Sequence, residues 1–164
     1  MIALDEIMVA LEAACYGMNT YFDRKTGEVV ILSEEDLSAA EEDSLDNIPG
    51  WQYKNVAMVK CIENDKENRF LVLPSRFDIH EWEIMREFSW QVMDDEIEEQ
   101  LDRSLHGGGA FRKFKDCIRR HNMEQQWFKY RDDALRKIAI DWSNENGVKY
   151  KDKAASERAK TSAI

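Results

Sequence analysis

The chain has 164 residues, 43% hydrophobic and 34% charged, with a formal net charge of -10. That balance describes a folded globular domain rather than a disordered segment. No apolar run approaches the roughly 18 residues a membrane helix needs, so no membrane partner is expected.

Taken in chain order, the first element reads as a helix. Leu4, Ile7, Met8, Leu11, Ala14 and Cys15 recur at three- and four-residue spacing and share one face. Asp5 and Glu6 sit in its first turn, where the helix dipole favours negative charge and where a signal peptide would carry Lys or Arg. Gly17 ends it. Tyr21-Phe22 and Val29 to Leu32 then flank Asp23–Gly27, which predicts a β-hairpin. Ser33 and Asp36 have capping-box spacing and predict a short acidic helix to about Glu42. Asn47-Ile48-Pro49-Gly50 breaks it. The β-branched stretch Val56–Ile62, the polar turn Glu63–Glu67 and Arg69–Leu73 predict a second hairpin.

Beyond Pro74 and Ser75 the pattern is helical. Ile79, Trp82, Met85 and Phe88 mark one helix, and Ile97, Leu101 and Leu105 the next. Gly107, Gly108 and Gly109 interrupt the chain. Phe111, Phe114, Cys117 and Ile118 mark a third helix, and Trp127, Tyr130, Ala134, Ile138 and Trp142 a fourth. The fold class expected is α+β, an N-terminal helix and two β-hairpins packed with four C-terminal helices. Residues 1–147 are expected to form a single domain, with a flexible tail over 148–164.

Three cysteines, Cys15, Cys61 and Cys117, stand far apart and form no Cys-x-x-Cys pair. They predict reduced, mostly buried thiols in a cytoplasmic protein, with no disulfide framework and no structural zinc site.

Several separated stretches share one likeness. They are Leu4-Asp5-Glu6-Ile7, Tyr21 to Val30, Leu73 to Glu81, Gly107 to Asp116, Trp127 to Asp132, Ile138 to Trp142 and Glu145 to Gly147. In that order, across residues 4–147, the chain resembles the bacterial uncharacterised protein family numbered 0158 in the UPF series. The resemblance implies one domain of bacterial or phage type and brings no activity with it.

The residues offer several candidate sites, each beside a plainer alternative. Gly107, Gly108 and Gly109 open a helix with Arg112 and Lys113 close behind, which could hold an anion such as a phosphate. The alternative is a tight helix–helix turn in which glycine permits close approach. Lys115, Arg119 and Arg120 extend a basic face over residues 110–121 that suits nucleic-acid phosphates, an acidic partner or solvent. Asp116 stands four residues from both Arg112 and Arg120, which suits surface pairing. Trp127, Tyr130 and Trp142 read as core rather than as a stacking platform. Asp132 with Arg136 and Asp133 with Lys137 mark the solvent side of that helix. His80 and Glu83 have metal-compatible spacing but no matching second pair, so no metal, cofactor or catalytic residue is assigned.

The charge is strongly segregated. Residues 1–103 carry 25 acids and 9 bases, and residues 104–164 carry 8 acids and 14 bases. The acids gather at Glu34, Glu35, Asp36, Glu41, Glu42, Asp43 and Asp46, and again at Asp94, Asp95, Glu96, Glu98 and Glu99. They serve solubility, or they form a surface for a basic protein partner, in the manner of an inhibitor of a nucleic-acid-binding protein. The leading expectation is a non-enzymatic interaction or regulatory protein. The rivals are an enzyme acting on a phosphorylated compound and nucleic-acid binding through the basic helix. A homo-oligomer stays open.

Overall fold

The computed structural model describes residues 1–41, 45–153 and 155. The chain forms two compact units, Met1–Ile79 with Ala139–Ile164, and His80–Ile138. The combination of helices with a three-stranded and a two-stranded sheet is α+β.

The first unit begins with a two-residue strand, β1 (Ile2–Ala3), and helix α1 (Leu4–Cys15). Leu4, Ile7, Met8, Leu11 and Ala14 are buried as their spacing predicts, while Cys15 is half-buried. Strands β2 (Asn19–Asp23) and β3 (Glu28–Leu32) form the expected hairpin, with Asn19 opposite Leu32 and Asp23 opposite Glu28. Its turn requires glycine at Gly27, whose φ is 74°. Helix α1 packs against both strands.

Helix α2 (Glu34–Glu41) starts on the predicted capping box. The Asp36 N–H donates to Ser33 Oγ at 3.1 Å, and the Ser33 N–H donates to Asp36 Oδ2 at 3.0 Å. Two single-turn 3-10 helices, Leu45–Asn47 and Gly50–Gln52, lead into α3 (Tyr53–Glu63).

Helix α3 corrects the second hairpin. Val56–Ile62 is not a strand. An alternating strand would put Lys60 on the same face as Val56, Met58 and Ile62. A helix instead turns Val56 and Val59 inward and leaves Cys61 exposed. Val56 and Val59 join Leu32, Ala40 and Ile48 in one buried cluster, with Tyr21, Leu37 and Ile62 packed around it. β-Branched content favours strands only where a neighbouring strand exists to pack against. The remaining half of the expected hairpin is β4 (Phe70–Val72), which pairs antiparallel with β2 and gives the order β3-β2-β4.

A single turn, α4 (Arg76–Ile79), completes this run, and α1 packs against it. Helix α8 (Glu124–Glu145) contributes its last turns, from Ala139, to the first unit. There Trp142 meets Phe22 edge-to-face at 6.2 Å and donates its indole N–H to the Val72 carbonyl at 3.1 Å. Val148 is buried, and β5 (Tyr150–Lys151) runs parallel to β1, with the Ile2 N–H bonded to the Lys149 carbonyl.

The second unit is helical: α5 (Glu81–Trp90), α6 (Asp95–Ser104), α7 (Ala110–Arg120) and α8 up to Ile138. Its centre is aromatic. Phe88 lies 5.4 Å from Trp127 and 6.3 Å from Phe114, and Phe114 lies 5.0 Å from Trp127, all near edge-on. Leu101, Leu105, Ile118 and Leu135 are buried in the same unit. Trp82 donates its indole N–H to the Leu105 carbonyl, and Arg131 pairs with Glu81 at 2.8 Å. Phe111, read as a core position, is 45% exposed.

Candidate functional site

The second unit gathers most of the charged candidates. The sequence boundary between acidic and basic halves falls at the last residue of α6, Ser104, and α6 and α7 pack against each other. Their ion pairs run along each helix: Glu99 with Arg103, and Asp116 with Arg119 at 3.6 Å. Asp116 therefore pairs one turn ahead rather than with Arg112 or Arg120. On α8, Asp133 pairs back to Lys129 at 2.8 Å, not forward to Lys137.

The acidic candidates do unequal things. Asp94 caps α6, accepting from the Glu96 and Ile97 N–H groups at 3.1 Å each. Asp95 and Glu99 are exposed, and Glu98 is half-buried. In the first unit Glu35 and Glu41 are exposed, and Glu34 accepts from Asn19 at 2.7 Å. Asp36 is only 4% exposed and does not face a partner. Besides capping α2 it accepts from Gln52 at 3.2 Å and Asn55 at 3.1 Å. Burial pushes its carboxyl up, but the hydrogen bonds from Ser33, Gln52 and Asn55 outweigh that and hold it below the ordinary carboxylate value. Glu42 and Asp43 lie outside the described residues.

The glycine turn is open. Gly107 and Gly109 have φ of 76° and 73°, while Gly108 does not, and a Cβ at any of the three meets nothing within 4 Å. Positive φ, not close approach, is what glycine supplies here. Arg112, Lys113, Lys115, Arg119 and Arg120 all project from α7 into solvent. Of these, Lys113 and Arg120 line a groove of about 320 Å³ with Gln100 and Arg103 of α6. Spacing along one helix shows Lys113 and Arg120 on a common face. It cannot show that α6 supplies the opposite wall.

An apolar cleft also went unread in the sequence. Phe88, Val92, Met93, Met123 and Tyr130 line a space of about 510 Å³ rimmed by Lys129 and Asp133. Met93 is fully exposed at 100%, and Trp90 nearby in sequence is 57% exposed. The short segment between α5 and α6 has no helical period, so periodicity is silent about it.

His80 is exposed in a left-handed conformation just before α5. Among the described residues no three His, Cys, Asp or Glu side chains are grouped so as to hold a metal ion. No helix is long and apolar enough to cross a membrane among them. Cys15, Cys61 and Cys117 are free thiols, of which Cys61 is exposed against expectation. Trp127 and Trp142 are buried, and Tyr130 is half-buried.

Comparison with known proteins agrees with the motif pattern. Residues 1–161 match the family described as Uncharacterised protein family (UPF0158). The chain is 25% identical over 148 residues to UPF0158 protein PA5073 of Pseudomonas aeruginosa, covering 90% of this chain and 84% of that one. No solved structure matches. With its whole length but the last few residues matched, the chain belongs to the UPF0158 family.

Proposed function

We propose that this chain is a non-enzymatic cytoplasmic interaction protein whose second unit receives a basic segment of a partner protein. The observation that carries this reading is Met93, fully exposed beside an apolar cleft and followed directly by the exposed acids Asp94, Asp95 and Glu96. An apolar centre with a charged rim is how protein interfaces are built. Burying a methionine side chain contributes about 1.5–3 kcal/mol, so an uncovered Met93 leaves that stabilisation to a partner. The neighbouring acids select partners of positive charge and speed their approach. The free cysteines suit a reducing compartment.

The test is selection of displayed random peptides on the immobilised full chain. Enriched peptides carry Lys or Arg around one or two large apolar residues, and their binding weakens with salt. Met93→Glu weakens binding about thirtyfold or more, as removal of a central anchor does. Enrichment without basic residues, or binding indifferent to Met93→Glu, refutes the reading. A concentration-dependent dimer abolished by Met93→Glu gives the cleft to a second copy and equally overturns it.

A further inference from the structure

A second concavity in the same unit has the opposite character. The groove between α6 and α7 brings together Arg103, Lys113 and Arg120, against one acid, Asp116. Lys113 and Arg120 are seven residues apart, two helical turns, so they share a face of α7. Neither has an acidic side chain within 4.0 Å among the described residues. The one lining acid is already engaged, since Arg119 draws the Asp116 carboxylate at 3.6 Å. Arg103 is shared with Glu99 on its own helix.

The neutral groups of the groove are arranged to the same end. Gln100 Oε1 lies 3.0 Å from His121 Nε2, with the imidazole as donor. Its acceptor end is thus occupied, which leaves the amide N–H groups for an acceptor in the groove. Cys117 lies beneath, 4% exposed. Burial pushes its thiol up against the opposing pull of Arg120, so it stays neutral and does not repel an anion.

We propose that this groove binds a small phosphorylated molecule, with Arg103, Lys113 and Arg120 as its cationic contacts and the Gln100 amide as a neutral donor. Arginine forks match phosphate oxygens in pairs, and lysine adds a point charge. A volume of about 320 Å³ is at the small end of ligand sites, which span roughly 300–1,000 Å³. The net charge of -10 opposes a long polyanion far more than a compact one. The site lies beside the glycine turn and does not use it.

Titration of the isotope-labelled full chain with sodium pyrophosphate, followed by amide and side-chain NMR, tests the assignment. Saturable shifts centred on Gln100, Arg103, Lys113 and Arg120 are expected. Lys113→Gln and Arg120→Gln each weaken binding about tenfold or more, because a charged hydrogen bond is lost. Arg112→Gln with Lys115→Gln, which removes two positive charges outside the groove, leaves it within about twofold. Absence of saturable shifts in the wild-type chain overturns the proposal, and so does equal loss in the control variant. A parallel arm uses a short duplex DNA. Binding of DNA without binding of pyrophosphate assigns the face to nucleic acid and also overturns it.

Discussion

Asp23→Asn removes the charge of a buried carboxylate that pairs with Arg69 in the first unit. Asp23 is 1% exposed and accepts from Arg69 Nε at 2.8 Å and Nη2 at 2.6 Å. It also accepts the Lys25 N–H at 2.8 Å, which holds the hairpin turn. The hydrogen bonds from Arg69 are the main cause that holds its carboxyl at about 2, below the ordinary 3.8. At about 1.4 kcal/mol per pH unit, that difference is worth about 2 kcal/mol of folding stability. Arg69 keeps 33% of its side chain in water, which places the loss below the about 3–5 kcal/mol of a fully buried pair. The sign follows from proton binding. The unfolded carboxyl takes up its proton at higher pH than the folded one. The contribution is therefore complete above about pH 4 and is lost as pH falls towards about 2. Urea unfolding of wild type and Asp23→Asn, followed by circular dichroism from neutral to acid pH, measures it directly. Other carboxyls titrate alike in both proteins and cancel in the difference. A gap of about 2 kcal/mol near neutrality that closes below about pH 4 is expected. A gap under about 0.5 kcal/mol, or one constant across the range, refutes the reasoning.

Three further outcomes follow from the same geometry. Ser33→Ala removes one arm of the capping box and costs about 1 kcal/mol, whereas Asp36→Ala, which also strands Gln52 and Asn55, costs about 2–3 kcal/mol by chemical denaturation. Gly107→Ala costs about 1 kcal/mol because of its positive φ, while Gly108→Ala stabilises by up to about 1 kcal/mol; melting temperatures moving in the same direction would contradict the turn. Trp127→Ala, at the meeting point of Phe88 and Phe114, costs about 3–5 kcal/mol, and a melting curve near that of wild type would show that the aromatic centre is not the core of its unit.

Local chemistry was legible wherever the cause lay within a few residues. The face of α1 follows from three- and four-residue spacing. The cap of α2 follows from Ser33 and Asp36, and the first hairpin from Thr26-Gly27 between β-formers. The same reading missed α3, because β-branched residues are ambiguous until their neighbours are known. It also treated Asp36 as one acid in a surface cluster, since a capping residue and a surface acid have the same letter. Arg69 reaches Asp23 across 46 residues, a distance over which periodicity carries no information.

The candidate sites divide in the same way. The charge split between residues 103 and 104 was plain in the sequence, as was the basic face of α7. That α6 lies against α7, so that Arg103 and Gln100 meet Lys113 and Arg120, depends on how two helices pack. The exposure of Met93 depends likewise on what fails to cover it. The sequence by itself determined where α2 starts, which face of α1 is apolar and where charge of each sign resides, because these are set by neighbours along the chain. Tertiary structure decided that Val56–Ile62 coils, that Phe70–Val72 pairs with β2 and that three cations share one groove. Those outcomes depend on burial and proximity between residues far apart along the chain.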